Sequence, residues 1–179
     1  MSDFDEILFD IIKHEGTEFT DLKADRGGAT RYGVTLGLLQ RVRGASQTAE
    51  DVENLEMDDV AEIYRELYIE AKIDTLGLDK DASAYYFDMY INGGRMAGMC
   101  LQMAINHKLS ATDQGVWIDV DGFPGNGTRE AFRRVRGVSK LDLQIQRSGF
   151  FWNNVFKGSK FGWKRGQDPV RTDQELFIY

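Results

Sequence analysis

The chain has 179 residues, 42% of them hydrophobic and 12% aromatic, which supplies a core for one compact domain or for a domain with a C-terminal extension and excludes a disordered chain. Its formal net charge of -7 argues against a general nucleic-acid binder, which needs clustered cations to neutralise phosphates. One cysteine, Cys100, excludes an internal disulfide, and His14 and His107 have no partners at metal-ligand spacing, so neither a metal nor another cofactor is expected.

The opening residues carry Asp3, Asp5, Glu6 and Asp10 where a signal peptide would be basic and then apolar. The expectation is a protein made in the cytoplasm with no membrane insertion. Phe4, Ile7, Leu8, Ile11 and Ile12 recur at helical spacing and predict an amphipathic helix ending near Gly16. Between Thr17 and Thr35 the pattern changes to turn formers (Asp21, Asp25, Gly27, Gly28, Gly33) with short β-prone pieces, a small hairpin or looped sheet.

Helical patterns then resume. A short one covers residues 36–42 and closes at Gly44, and a longer one covers 57–71 with Val60, Ile63, Tyr64, Leu67 and Tyr68 on one face. Residues 81–91 and 95–107 follow, separated by Asn92-Gly93-Gly94; Cys100 lies in an apolar run of the second and reads as a buried hydrophobe. Residues 119–127 form a Gly/Asp/Pro loop. Thr128 is a candidate cap for a helix to Val135, and Ser139 for a helix over 140–156. The fold class is therefore α+β, predominantly helical, with one small β-hairpin near the N-terminus.

Charge divides unevenly along the chain. Residues 1–95 hold 10 basic and 21 acidic side chains, whereas residues 96–179 hold 12 and 8. The back half is the better candidate to lie on an anionic polymer. Arg129, Arg133, Arg134 and Arg136, then Lys157, Lys160, Lys164 and Arg165, interleave there with Phe150, Phe151, Trp152, Phe156 and Trp163. A solvated helix face over an aromatic core and a glycan-binding face both fit this pattern. Trp117 is a further candidate sugar platform or packing residue.

The chemistry concentrates in residues 11–35. Glu15 sits at the C-terminal end of the first helix, against the negative end of its dipole, at a cost of roughly 0.3–1 kcal/mol. That placement raises a carboxyl pKa, as a general acid requires, although a solvated glutamate at a frayed end would look the same. Asp25 and Thr30 follow inside the predicted hairpin. Glycosidic cleavage needs one protonated carboxyl and a second group that places water or stabilises the transition state, and this pair of elements can supply both. Gly27 and Gly28 allow close backbone approach to a sugar, and Tyr32 offers a flat face for one. Paired glycines also make ordinary turns, and a strand tyrosine also packs.

Glu15-Gly16, Asp25, Gly27-Gly28, Thr30 and Tyr32-Gly33-Val34-Thr35 resemble the signature of the glycoside hydrolase family 108 muramidases of phage endolysins and bacterial relatives. The resemblance continues through Ile63-Tyr64-Arg65 with Tyr68, Tyr86-Phe87-Asp88 with Asn92-Gly93-Gly94, and Leu101-Gln102-Met103-Ala104-Ile105-Asn106. Asp121-Gly122, Gly125, Thr128 and Ala131 are similar to the peptidoglycan-binding domain that follows in that family.

The resemblance implies a lysozyme-like catalytic region over 1–95, a helical peptidoglycan-binding region over 96–179, and cleavage of the β-1,4 bond between N-acetylmuramic acid and N-acetylglucosamine for host cell lysis. It makes Glu15 the acid, Thr30 or Asp25 the group that places water, and Gly28, Tyr32 and Asn92 substrate contacts. The Glu15 to Thr30 spacing is also similar to that of phage lysozymes in which Glu, Asp and Thr share a site. Two departures are the extra carboxylate Glu18 and Leu22 where the family has proline. The implied partner is bacterial peptidoglycan, met by a monomer released through a holin-type pore or a secretion route. A lytic transglycosylase, and a non-catalytic wall-binding or virion structural module, are the alternatives.

Overall fold

The computed structural model describes residues 3–21, 28–111 and 117–151. They group into two compact units, one within Met1–Lys72 and one within Ile73–Tyr179.

The first unit begins with α1 (Asp3–Glu15), which buries Phe4 and Ile7 against α4 (Met57–Glu70). The α4 face is the expected one: Val60, Ile63, Tyr64, Leu67 and Tyr68 are all buried, and each large aliphatic contributes about 1.5–3 kcal/mol. The Phe4 ring meets Tyr68 edge to face at 5.3 Å, and the Arg65 guanidinium lies 4.2 Å from the Phe4 ring centroid.

Between these helices lie β1 (Thr30–Arg31) and β2 (Val34–Thr35), an antiparallel pair with Thr30 opposite Thr35 and Arg31 opposite Val34. The hairpin runs directly into α2 (Leu36–Arg43), because Thr35 turns its hydroxyl to accept the Leu38 amide at 3.2 Å and so caps the helix. Gly44 closes α2, as expected. A short helix that periodicity did not reveal, α3 (Ala49–Glu53), starts at a Thr48/Asp51 capping box.

The second unit contains α5 (Ile73–Leu76), also unforeseen, then α6 (Lys80–Gly93), α7 (Arg95–Ala111), α8 (Asn126–Arg134) and α9 (Lys140–Phe151). Helices α6, α7 and α9 pack on one another around Phe87, Met89, Leu101, Ile105 and Leu143. Cys100 is buried among them, and burial pushes its thiol up to about 11. Asn92 and Gly93 complete the last turn of α6, so only Gly94 breaks the chain before α7.

The loop before α8 is held by two amide side chains of α7. Asn106 exchanges bonds with Ile118, its Nδ2 donating to the carbonyl at 2.8 Å and its Oδ1 accepting the amide at 2.9 Å. Buried Gln102 accepts the Gly122 amide at 2.7 Å and donates to Asp121 Oδ1 at 2.7 Å and Thr128 Oγ1 at 3.3 Å. Two motifs distant in sequence thus meet in one network. Thr128 is accordingly not the cap expected of it: Gly125 is the N-cap of α8, and Thr128 lies one turn inside, buried as a partner of Gln102. Ser139 does cap α9, accepting the Asp142 amide at 3.3 Å while Asp142 accepts the Ser139 amide at 2.8 Å.

Candidate active site

Helix α1 packs on α4, and Glu15 is its last residue. Gly16 follows with φ +80, its amide donating to Ile12 at 3.0 Å, so the chain leaves the helix at once. The Glu15 side chain is exposed, but its methylenes lie across the hairpin turn. A Cβ placed on Gly33 would stand 2.8 Å from Glu15 Cγ and 2.8 Å from the Tyr64 hydroxyl.

The turn that receives Glu15 is unusual. Tyr32 and Gly33 have φ of 54 and 75, the two left-handed residues of a two-residue hairpin loop. Glycine fits that conformation freely; tyrosine adopts it at a steric cost of about 1–2 kcal/mol. Two contacts offset the cost: the buried Tyr64 hydroxyl donates to the Tyr32 carbonyl at 3.3 Å, and the Arg31 guanidinium lies 5.1 Å from the Tyr32 ring centroid. Arg31 itself donates to the Glu53 carbonyl, which ties the hairpin to α3.

Thr30 is half-buried at the start of the hairpin. Its amide and carbonyl pair with Thr20 at 2.8 and 2.9 Å, and its hydroxyl donates to the Gly28 carbonyl at 3.2 Å. With the hydroxyl proton directed at Gly28, the oxygen lone pairs point elsewhere and can accept a hydrogen bond from water. Gly28, half-buried at φ +64, therefore acts here as the acceptor that orients Thr30.

The structure brings Glu15, Thr30, Tyr32 and Gly28 onto one helix end and one hairpin. Asp25 and Gly27 lie outside the described residues. Asn92 belongs to the second unit, exposed on α6, where its amide donates to the Asp88 carbonyl at 3.0 Å and carboxylate at 3.1 Å. Glu18 is exposed. Among the described residues no group of three His, Cys, Asp or Glu side chains gathers as a metal site would require. The residue whose role sequence reading missed is Tyr64, which appeared as an apolar position on α4 and as part of the family's helix motif but not as a support of the hairpin. A hydroxyl on the fully buried face of a helix needs a partner, and that requirement was the available signal.

Trp117 and Phe123 are both exposed, with Arg95 4.5 Å over the Phe123 ring. Arg133, Arg134 and Arg136 are exposed in and just after the last turn of α8. The cluster from Trp152 to Arg165 lies outside the described residues. No helix among the described residues is long and apolar enough to cross a membrane.

Residues 8–94 match the family model described as Glycosyl hydrolase 108, a stretch that holds α1 from Leu8 onward, the hairpin and α4. Among solved structures the chain is similar to SagA from Brucella abortus, at 25% identity and a TM-score of 0.65, over 87% of this chain and 86% of that one. The helical fold with its small hairpin is thus lysozyme-like. No curated protein matches the chain.

Proposed function

We propose that the chain is a muramidase whose substrate is peptidoglycan, a reading supported by the match of residues 8–94 to the Glycosyl hydrolase 108 model. In this reading Glu15 donates its proton to the leaving oxygen of the β-1,4 bond between N-acetylmuramic acid and N-acetylglucosamine. The bond from that oxygen to the anomeric carbon breaks, and water adds to the carbon and releases one proton, which balances the proton that Glu15 gave. Thr30 or Asp25 places that water, and Gly28, Tyr32 and Asn92 contact the glycan. Residues 1–95 carry the chemistry, while residues 96–179 hold the wall. The reading extends to a phage endolysin that acts on the host wall after release from the cytoplasm.

One observation supports it above the others: the side chain of Glu15, the last residue of α1, lays its methylenes against a hairpin turn built from two left-handed residues. Glycine at position 33 is required by its φ of 75 and by the closeness of the Tyr64 hydroxyl as well as of Glu15, so the turn and the helix end are packed together. The test is to digest purified peptidoglycan with the parent protein and with Glu15→Gln and to analyse the soluble muropeptides by mass spectrometry. Reducing N-acetylmuramic acid ends from the parent alone are expected. Ends in the 1,6-anhydro form would make it a lytic transglycosylase, and release of nothing by either protein would overturn the peptidoglycan reading.

A further inference from the structure

A pocket of about 520 Å³ opens in the second unit between α5 with its following turn and α8 with its closing turn. Arg129, Arg133 and Arg136 line it, with Phe132, Thr75 and Asp74. Arg129 and Arg133 stand one helical turn apart on α8, hence on one face. Arg136 joins them because the chain takes a left-handed conformation there, at φ 57, just past the end of the helix.

The three arginines differ in their commitments. Arg129 is anchored within the unit, donating to Thr75 Oγ1 at 3.4 Å and to Asn126 Oδ1. Arg133 and Arg136 are exposed and form no ion pair among the described residues. A helix C-terminus does favour cations, but its dipole is equivalent to about half an elementary charge, which accounts for part of one arginine and not for three. Asp74 supplies the single carboxylate of the lining. Three guanidiniums against one carboxylate leave an excess of positive charge in a concave site, which an anion relieves.

We infer that this pocket is a subsite for an oxyanion of the wall, seated on the guanidiniums of Arg133 and Arg136 with Arg129 behind them. The inference rests on the peptidoglycan reading above. Arginine forks match the planar two-oxygen geometry of carboxylates and also that of phosphates, so a stem-peptide carboxylate or a phosphodiester of a wall-attached polymer supplies the shared chemistry. A volume of about 520 Å³ is the size of a small-molecule pocket and admits an acidic amino-acid residue with its neighbours.

Binding is measured by co-sedimentation of the full chain carrying Glu15→Gln, which leaves the wall intact, with and without Arg133→Gln and Arg136→Gln together. Three walls are compared: peptidoglycan stripped of attached polymers, the same wall with its carboxylates amidated, and wall that retains its phosphodiester polymer. The double change is expected to weaken binding to the stripped wall about tenfold, the scale of lost charge-assisted bonds, with amidation producing the same loss in the unsubstituted chain. A loss confined to the polymer-bearing wall assigns the site to phosphate instead. Unchanged binding to both anionic walls overturns the proposal. So does an equal loss from Arg41→Gln with Arg65→Gln, which removes the same charge from the surface of the first unit. Muropeptide release by chains with Glu15 intact is a separate readout, so failure of the peptidoglycan reading would be seen there and not here.

Discussion

Glu15 and Gly33 are in contact through atoms that only glycine allows: a Cβ at position 33 would sit 2.8 Å from Glu15 Cγ, closer than carbon atoms approach. The stem of the Glu15 side chain is therefore packed against the hairpin turn as well as carried by its own helix.

Gly33→Ala is expected to lower stability by about 1–3 kcal/mol, from the left-handed backbone and the displaced neighbours, and to reduce wall hydrolysis by roughly tenfold or more. Thermal unfolding and a turbidity assay read the two effects. Full activity in a variant that melts lower would mean that the Glu15 position seen here is not the working one.

Thr30→Val keeps the side-chain shape but removes the hydroxyl, and with it both the bond to the Gly28 carbonyl and the lone pairs directed away from it. Should Thr30 place the water, kcat falls roughly tenfold to a hundredfold with KM nearly unchanged, and Thr30→Ser restores most of it. A rise in KM at constant kcat would assign Thr30 to glycan binding.

Gln102→Leu tests the network that joins α7 to the loop before α8. Leucine has similar bulk, yet it strands the Gly122 amide, and Thr128 and Asp121 lose their donor. Buried orphan groups cost about 1–3 kcal/mol each, so an overall loss of roughly 2–4 kcal/mol is expected in urea unfolding. A loss below about half a kcal/mol would mean that the loop is held by other contacts.

Acid should destabilise the fold through its capping carboxylates. The Thr48 hydroxyl holds Asp51 below its ordinary value, the Glu56 amide and then Arg43 do so for Asp59, and the Gln102 amide does so for Asp121. For Asp142, partial burial pulls upward, but Ser139 and Lys108 together outweigh it. A depressed carboxylate contributes stability that is present above its unfolded value, near 3.8, and is lost as pH falls through its folded value. Asp88 runs the other way: burial raises it against the pull of Arg147 and Asn92, so its contribution is present below about 3.8 and is lost as pH rises through its higher folded value. With four groups against one, the unfolding midpoint should fall between pH 5 and pH 3, and Asp142→Asn should flatten that fall. A midpoint that rises on acidification would show that Asp88 dominates.

Much of the molecule was legible in the chain. Periodicity identified the buried face of α4 residue by residue, because a helix can bury only one stripe. The opening helix, the hairpin, Gly44 and the Ser139 cap followed from equally local rules, and so did Glu15 as the last residue before a glycine. Local rules also explain the misses. Helices α3 and α5 are too short for a periodic signal, and Asn92-Gly93 contains a breaker that packing nonetheless held in the last turn of α6. Thr128 has the chemistry of a cap, but Gln102, 26 residues earlier in the sequence, claimed its hydroxyl.

The sequence by itself thus determined which segments are helical, which faces are apolar and which carboxylate ends the first helix, since each depends on residues within a turn or two of one another. Tertiary structure alone decided that Tyr64 would support the Tyr32 carbonyl, that Gly33 would lie under Glu15, and that three arginines would converge on one pocket. Those contacts join residues separated by several to more than thirty positions, or depend on how a helix end is turned, and only packing sets the distances between them.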